Sequence, residues 1–182
     1  MAKIRVWTKQ HKKVLENLRT TGRHVATARA IHNSEEAMTM IRAYDWLQQA
    51  IPNQENRPSD AAYPVWVSLN QETTMLPTPD TVTLELLIEE ELLTYLNVAK
   101  WGAVNNCSYI PLDKEDDKRH KEMMEAYGVS DLKACTTVFY PELRQQIEDS
   151  WTRVFDDKIQ IGSDYAYGLL WEIKEEWITK TL

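Results

Sequence analysis

Carboxylates are the side chains in this sequence best placed to act on another molecule. Glu89, Glu90 and Glu91 form one run, and Glu115, Asp116 and Asp117 form another. Clustered in this way they present negative charge to lysine- and arginine-lined channels of the kind that hold phosphates. A second set has the opposite sign. Lys9, Lys12, Lys13 and Arg19, continued by Arg23, His24 and Arg29, fall on the outer face of a predicted first helix and suit contact with a nucleic-acid backbone. The same division runs through the composition: residues 1–64 hold ten Lys and Arg against six Asp and Glu, the remainder eleven against 22, and the net charge is −7. Asymmetry of this kind bears on partners rather than on fold.

Other chemistries lack their residues. A phosphate-cradling loop needs clustered glycines, whereas the five here stand apart at positions 22, 102, 128, 162 and 168. His11, His24, His32 and His120 are scattered, with no H-E-x-x-H or paired-cysteine spacing for a metal. His32 and Glu36 are four apart but straddle a predicted helix start, which favours a surface hydrogen bond. No serine sits in a G-x-S-x-G turn. Cys107 and Cys135 lack C-x-x-C spacing and read as two buried thiols, with Lys133 the one basic residue near either. No metal or cofactor is expected from the residues alone.

The elements that carry these residues follow from periodicity. Residues 81–88 (TVTLELLI) place Val82, Leu84 and Leu86 on one face of a predicted central strand, and residues 63–70 (YPVWVSLN) are expected to pair with it. Residues 3–7 read as a short first strand; Thr8 then caps a helix carrying Val14, Leu15 and Leu18 and stopped by Gly22. After an extended piece over residues 24–28, Asn33, Ser34, Glu35 and Glu36 open a helix with the stripe Ala37, Met40, Ile41, Tyr44, Leu47 and Ile51. Residues 53–62 form a polar loop. Residues 92–105 read as a helical region with Trp101 in the core. Asp113 caps a charged helix running to Gly128 on the surface, and Pro141 opens another with Leu143, Ile147, Trp151, Val154 and Phe155 buried. Residues 167–173 alternate as a late strand.

Together these predict an α+β fold: a single globular domain over residues 1–182, with a small mixed or antiparallel sheet packed by about five helices. Hydrophobic content of 43%, charged content of 27%, seven Trp and eight Tyr suit a folded core. The apolar runs are far shorter than the ~20 residues of a membrane span, and the first residues carry no signal-peptide core, so a cytoplasmic protein without membrane contact is expected.

Val6-Trp7-Thr8-Lys9-Gln10, Tyr44-Asp45-Trp46, Tyr63-Pro64-Val65-Trp66, Asp149-Ser150-Trp151 with Val154-Phe155-Asp156, and Ile159-Gln160 with Trp171-Glu172-Ile173 occur in an order that resembles a family of small bacterial and phage proteins known only as a domain of unknown function. The layout also looks loosely like an ADP-ribosyltransferase. That likeness implies a cleft for nicotinamide adenine dinucleotide (NAD) lined by Thr8, Gln10 and Tyr44, with Gln160 or Glu172 near the last strand.

The expectation is a non-catalytic binding protein that uses the acidic residues, such as a phage-type inhibitor of a nucleic-acid-processing enzyme. An anti-CRISPR protein acting on a Cas nuclease is one concrete form. The alternatives are an NAD-using transferase and a DNA-binding protein that works through Lys9, Lys12, Lys13 and Arg19.

Overall fold

Strand β1, Lys3–His11, is the longest stretch of alternating burial at the start of the chain and pairs on both sides. The computed structural model describes residues 2–27 and 37–182. Arg29, His32, the helix start at Asn33, Ser34, Glu35 and Glu36, and the side chain of Ala37 lie outside the described residues. The chain divides into two compact units, Met1–Tyr95 with Ala166–Leu182, and Leu96–Tyr165.

The first unit holds β1, helix α1 (Lys12–Thr21), β2 (Arg23–His24), α2 (Ala37–Ala50), β3 (Val65–Ser68), β4 (Thr81–Glu89), β6 (Ala166–Leu170), β7 (Ile173–Lys174) and β8 (Ile178–Thr181); β5 (Thr94–Asn97) carries the chain out of it. Six strands form one sheet in the order β5-β6-β3-β1-β4-β8, and β2 pairs with β7 in a second. β1 runs antiparallel to β4 from Lys3 opposite Glu89 to His11 opposite Thr81. The pairs β1–β3, β3–β6 and β4–β8 are antiparallel too. Val6, Leu18, Val65, Val67, Leu84, Leu86, Ile88, Leu170 and Ile173 fill the core of this unit.

Several expectations change here. β1 separates β3 from β4, so the strands read as a pair are not neighbours. The physical reason is the length of β1: it continues past Trp7 to His11 and offers β4 a full ladder. Thr8 therefore caps nothing. It is buried in the strand, and its hydroxyl donates to the Trp66 carbonyl at 2.8 Å. His11 is the cap instead, its Nδ1 accepting from the Lys13 amide at 3.1 Å. Gly22 ends α1 as expected, at φ 77, its N–H donating to the Leu18 carbonyl at 2.7 Å. On α2 the buried stripe is Ala43 and Leu47, continued by Ile51, whereas Met40 is exposed. β4 is covered on both faces: Thr83, Leu84, Glu85 and Leu86 are all buried. The Glu85 carboxylate accepts from the Thr179 hydroxyl at 2.7 Å and lies 3.4 Å from Arg5 Nε. The Thr179 hydrogen bond holds its carboxyl below the usual range, against the effect of burial.

Residues 92–105 are half strand and half helix. Thr94 and Leu96 are buried and Tyr95 is exposed, the alternation of a strand, and Asn97 then caps α3 (Val98–Asn105) by accepting from the Lys100 amide at 3.0 Å. The second unit also contains α4 (Lys114–Tyr127), α5 (Asp131–Thr136), α6 (Pro141–Ser150) and a 3-10 turn at Trp151–Phe155. Trp101, Ile110, Met124, Leu143, Ile147, Trp151 and Val154 are buried in it. Cys107 and Cys135 are buried thiols, with the Cys135 sulfur 3.8 Å from the Cys107 carbonyl oxygen. The fold class is α+β, with an antiparallel sheet and six α-helices among the described residues. No described helix is long and apolar enough to cross a membrane.

Candidate functional site

The start of α4 sets the geometry of the most heavily charged interior in the second unit. Asp113 caps the helix, its carboxylate accepting from the amides of Glu115 at 2.9 Å and Asp116 at 2.8 Å. That anchor turns Asp116, His120 and Met124, four residues apart each time, onto the buried face. α4 is thus not the simple surface helix its composition implies.

Asp116 is only 4% exposed. The Tyr109 hydroxyl donates to it, 3.2 and 3.0 Å from its two oxygens, and the Leu112 amide donates at 2.9 Å. Arg153 Nη1 adds an ion pair at 3.0 Å and Arg119 Nη2 a second, shorter one. Burial by itself pushes the Asp116 carboxyl up. The Leu112 and Tyr109 hydrogen bonds and the charges of Arg153 and Arg119 outweigh it and hold the group below its ordinary value.

Tyr109 joins this carboxylate to a second one. Its ring stacks on His120, centroids 4.0 Å apart and planes 8° from parallel, while the Arg153 guanidinium carbon lies 5.2 Å from its centroid. His120 Nε2 is 2.7 Å from Asp131 Oδ1, and the Tyr109 amide donates to Asp131 Oδ2 at 2.7 Å. Asp131 is likewise pushed up by burial but held low by His120 and the Tyr109 amide. An ionised Asp131 only accepts, so His120 Nε2 is the donor in this contact.

Two cavities flank the Tyr109–His120 stack. One, of about 340 Å³, opens between α4 and α6 and is lined by Asp116, Arg119, Gln146, Asp149 and Arg153 among others. The other, of about 590 Å³, is bordered by Ser108, Lys121, Glu125 and Ser130. Arg153 Nη1 is fully engaged, donating to the Ile110 carbonyl at 2.5 Å as well as to Asp116. Its Nε and Nη2, the Nε and Nη1 of Arg119 and the Gln146 amide make no hydrogen bond among the described residues. No group of three or more His, Cys, Asp or Glu suited to a metal occurs among the described residues.

The carboxylates singled out by sequence separate. Glu115 is exposed, but Asp116 is buried, which corrects its place on an acidic surface: two guanidinium groups, a hydroxyl and an amide replace its water. Asp117 is paired with Lys121 at 2.6 Å. Glu89, Glu90 and Glu91 belong to the first unit, where Glu90 and Glu91 are exposed and Glu90 accepts from the Tyr95 hydroxyl at 2.9 Å.

The basic set divides as well. Lys12, Lys13 and Arg19 are exposed on α1, whereas Lys9 lies on β1. Arg23 is paired with Asp60 at 2.8 Å and Glu172 at 3.3 Å. Of the residues implied for an NAD cleft, Gln10 Nε2 donates to the Thr8 hydroxyl at 2.9 Å, and Tyr44 packs edge-on against Trp66 at 6.2 Å. Gln160 is exposed in the second unit. Tyr109, Arg119, His120, Asp131 and Arg153 escape sequence reading, although the i, i+4 spacing of Asp116, His120 and Met124 is a visible signal.

A family model described as a domain of unknown function, DUF3841, matches residues 5–179. The chain belongs to DUF3841. This agrees with the resemblance read from its aromatic motifs, and the matched span includes every residue of the Asp116–Asp131 network. No curated protein matches the chain, and no solved structure does.

Proposed function

We propose that the chain is a non-catalytic binding protein that docks on a basic surface of another protein, a nucleic-acid-processing enzyme such as a Cas nuclease being the form to test first. One observation carries the reading: Val138 and Phe139, on the turn between α5 and α6, are 83% and 78% exposed, and Leu132 on α5 is exposed too. Apolar side chains held out together in water are characteristic of contact surfaces, and an aromatic anchor usually dominates the binding energy of such a patch. The chemistry of the partner follows from charge. The chain carries −7, and Glu89, Glu90, Glu91 and Glu115 are not used in any ion pair among the described residues. Exposed carboxylates steer a cationic partner and raise its association rate.

The test is a titration of the chain against a guide-loaded Cas nuclease at low and physiological salt. Binding that weakens with salt, and that Phe139→Ala reduces by about tenfold or more, is the expected result. Absence of binding at low salt removes the nuclease form of the proposal. Duplex DNA belongs in the same titration, because Lys12, Lys13 and Arg19 are exposed. DNA binding that vanishes when all three become Ala would move the reading to nucleic acid.

A further inference from the structure

We propose that the cavity between α4 and α6 binds a free amino acid, with Arg153 and Arg119 taking its carboxylate and Asp149 its ammonium group. This goes beyond the partner surface around Phe139 and stands independently of it.

The argument begins with a count of charge. Two guanidinium groups converge on one carboxylate, Asp116, which leaves one positive charge in excess in that cluster. Asp116 cannot absorb more. Tyr109, Leu112, Arg119 and Arg153 already fill its acceptor sites. The excess matches a monoanion.

Geometry supplies the second step. Arg153 is held from three sides, by the Ile110 carbonyl, by Asp116 and by the face of Tyr109, and its side chain is 22% exposed. A guanidinium fixed along one edge presents its other edge, Nε and Nη2, as a pre-organised fork for a planar carboxylate. Arg119 and the Gln146 amide add donors without partners on the two facing helices. A single carboxylate in the fork therefore completes bonds that the folded chain leaves open.

The third step selects the ligand. Asp149 also lines the cavity; one of its oxygens accepts from Gln145 at 2.7 Å, and its charge is not paired with any cation among the described residues. A second negative charge there disfavours a dianion such as phosphate and favours a ligand with an ammonium group beside its carboxylate. A volume of about 340 Å³ lies at the small end of ligand sites and suits a molecule of that size.

The experiment is calorimetric titration of the full chain with each of the twenty L-amino acids up to about 10 mM, with NMR of the arginine side chains and the His120 ring to locate binding. At least one amino acid should bind and shift the Arg153 and His120 resonances. Arg119 is largely exposed, so Arg119→Gln should stay folded and weaken that amino acid about tenfold. Asp149→Asn should weaken the amino acid while binding acetate, the probe without an ammonium group, at least as tightly as before. The proposal is overturned if no amino acid moves those resonances, if inorganic phosphate binds more tightly than any amino acid, or if Arg119→Gln leaves affinity intact.

Discussion

Without its carboxylate, Asp116 would leave the largely buried Arg153 guanidinium, the Tyr109 hydroxyl and the Leu112 amide without their acceptor, while the exposed Arg119 would turn to water. Breaking a buried ion pair from one side is strongly destabilising because the other charge stays behind. Asp116→Ala is therefore expected to cost on the order of 3 kcal/mol in urea unfolding, whereas Glu115→Ala, one residue away and exposed, should change little. The same group gives a pH dependence. Asp116 and Asp131 both titrate below their ordinary 3.8 in the folded chain, so as the pH falls the unfolded chain takes up protons first. Their stabilisation is complete above that value and is lost as the pH drops through the folded values. Asp116→Asn should flatten the acid limb of the stability curve, and an unchanged limb would mean the carboxylate adds nothing through its charge. None of this is visible in the run Glu115, Asp116, Asp117. A carboxylate's neighbours decide its role, and Arg153 stands 37 residues away along the chain.

Strands and helices reveal more of themselves in sequence than side-chain pairs do, because their signals are local. Gly22 with its positive φ, Asp113 as a cap and Pro141 in a first turn all act within a few residues, and each does in the fold what its type implies. β1 and β5 show the limit of local signals. Thr8 is a good cap by type, yet pairing opposite Leu84 keeps it in the strand, and residues 94–97 join the sheet beside β6, a strand far along the chain. β6 contains a position where tertiary packing alone sets the residue. A Cβ at Gly168 would meet Val67 Cγ2 at 2.8 Å and press still closer on the Leu93 side chain. Gly168→Ala should thus destabilise the sheet by about 1–3 kcal/mol, read from the shift in its thermal midpoint. A neutral outcome would mean that Leu93 moves aside without loss.

For the molecule as a whole, charge is the quantity that composition gives most directly, and where it resides is what composition hides. The excess of acid beyond residue 64 is real, but ion pairs such as Asp117–Lys121 and Lys118–Glu122 occupy particular carboxylates without changing that excess, and Asp116 lies inside. The association rate with a cationic partner should therefore depend on the solvent-facing glutamates. Glu91→Lys with Glu115→Lys should slow it and reduce its salt dependence, measured by stopped flow, and an equal rate in wild type and variant would detach the charge from recognition. The α+β class was readable because it needs only the periods of strands and helices. The site was not, since Tyr109, His120 and Asp131 meet through a stack and two hydrogen bonds that no spacing announces.

Cys107 and Cys135 are the chain's two cysteines, and both lie shielded within Leu96–Tyr165. A thiol reagent such as iodoacetamide can reach them only when that part of the chain opens. Alkylation speed is therefore a clock that ticks for the helical unit and ignores the sheet, and amino-acid loading of the α4–α6 cavity should slow it while leaving tryptophan signals from the strands untouched.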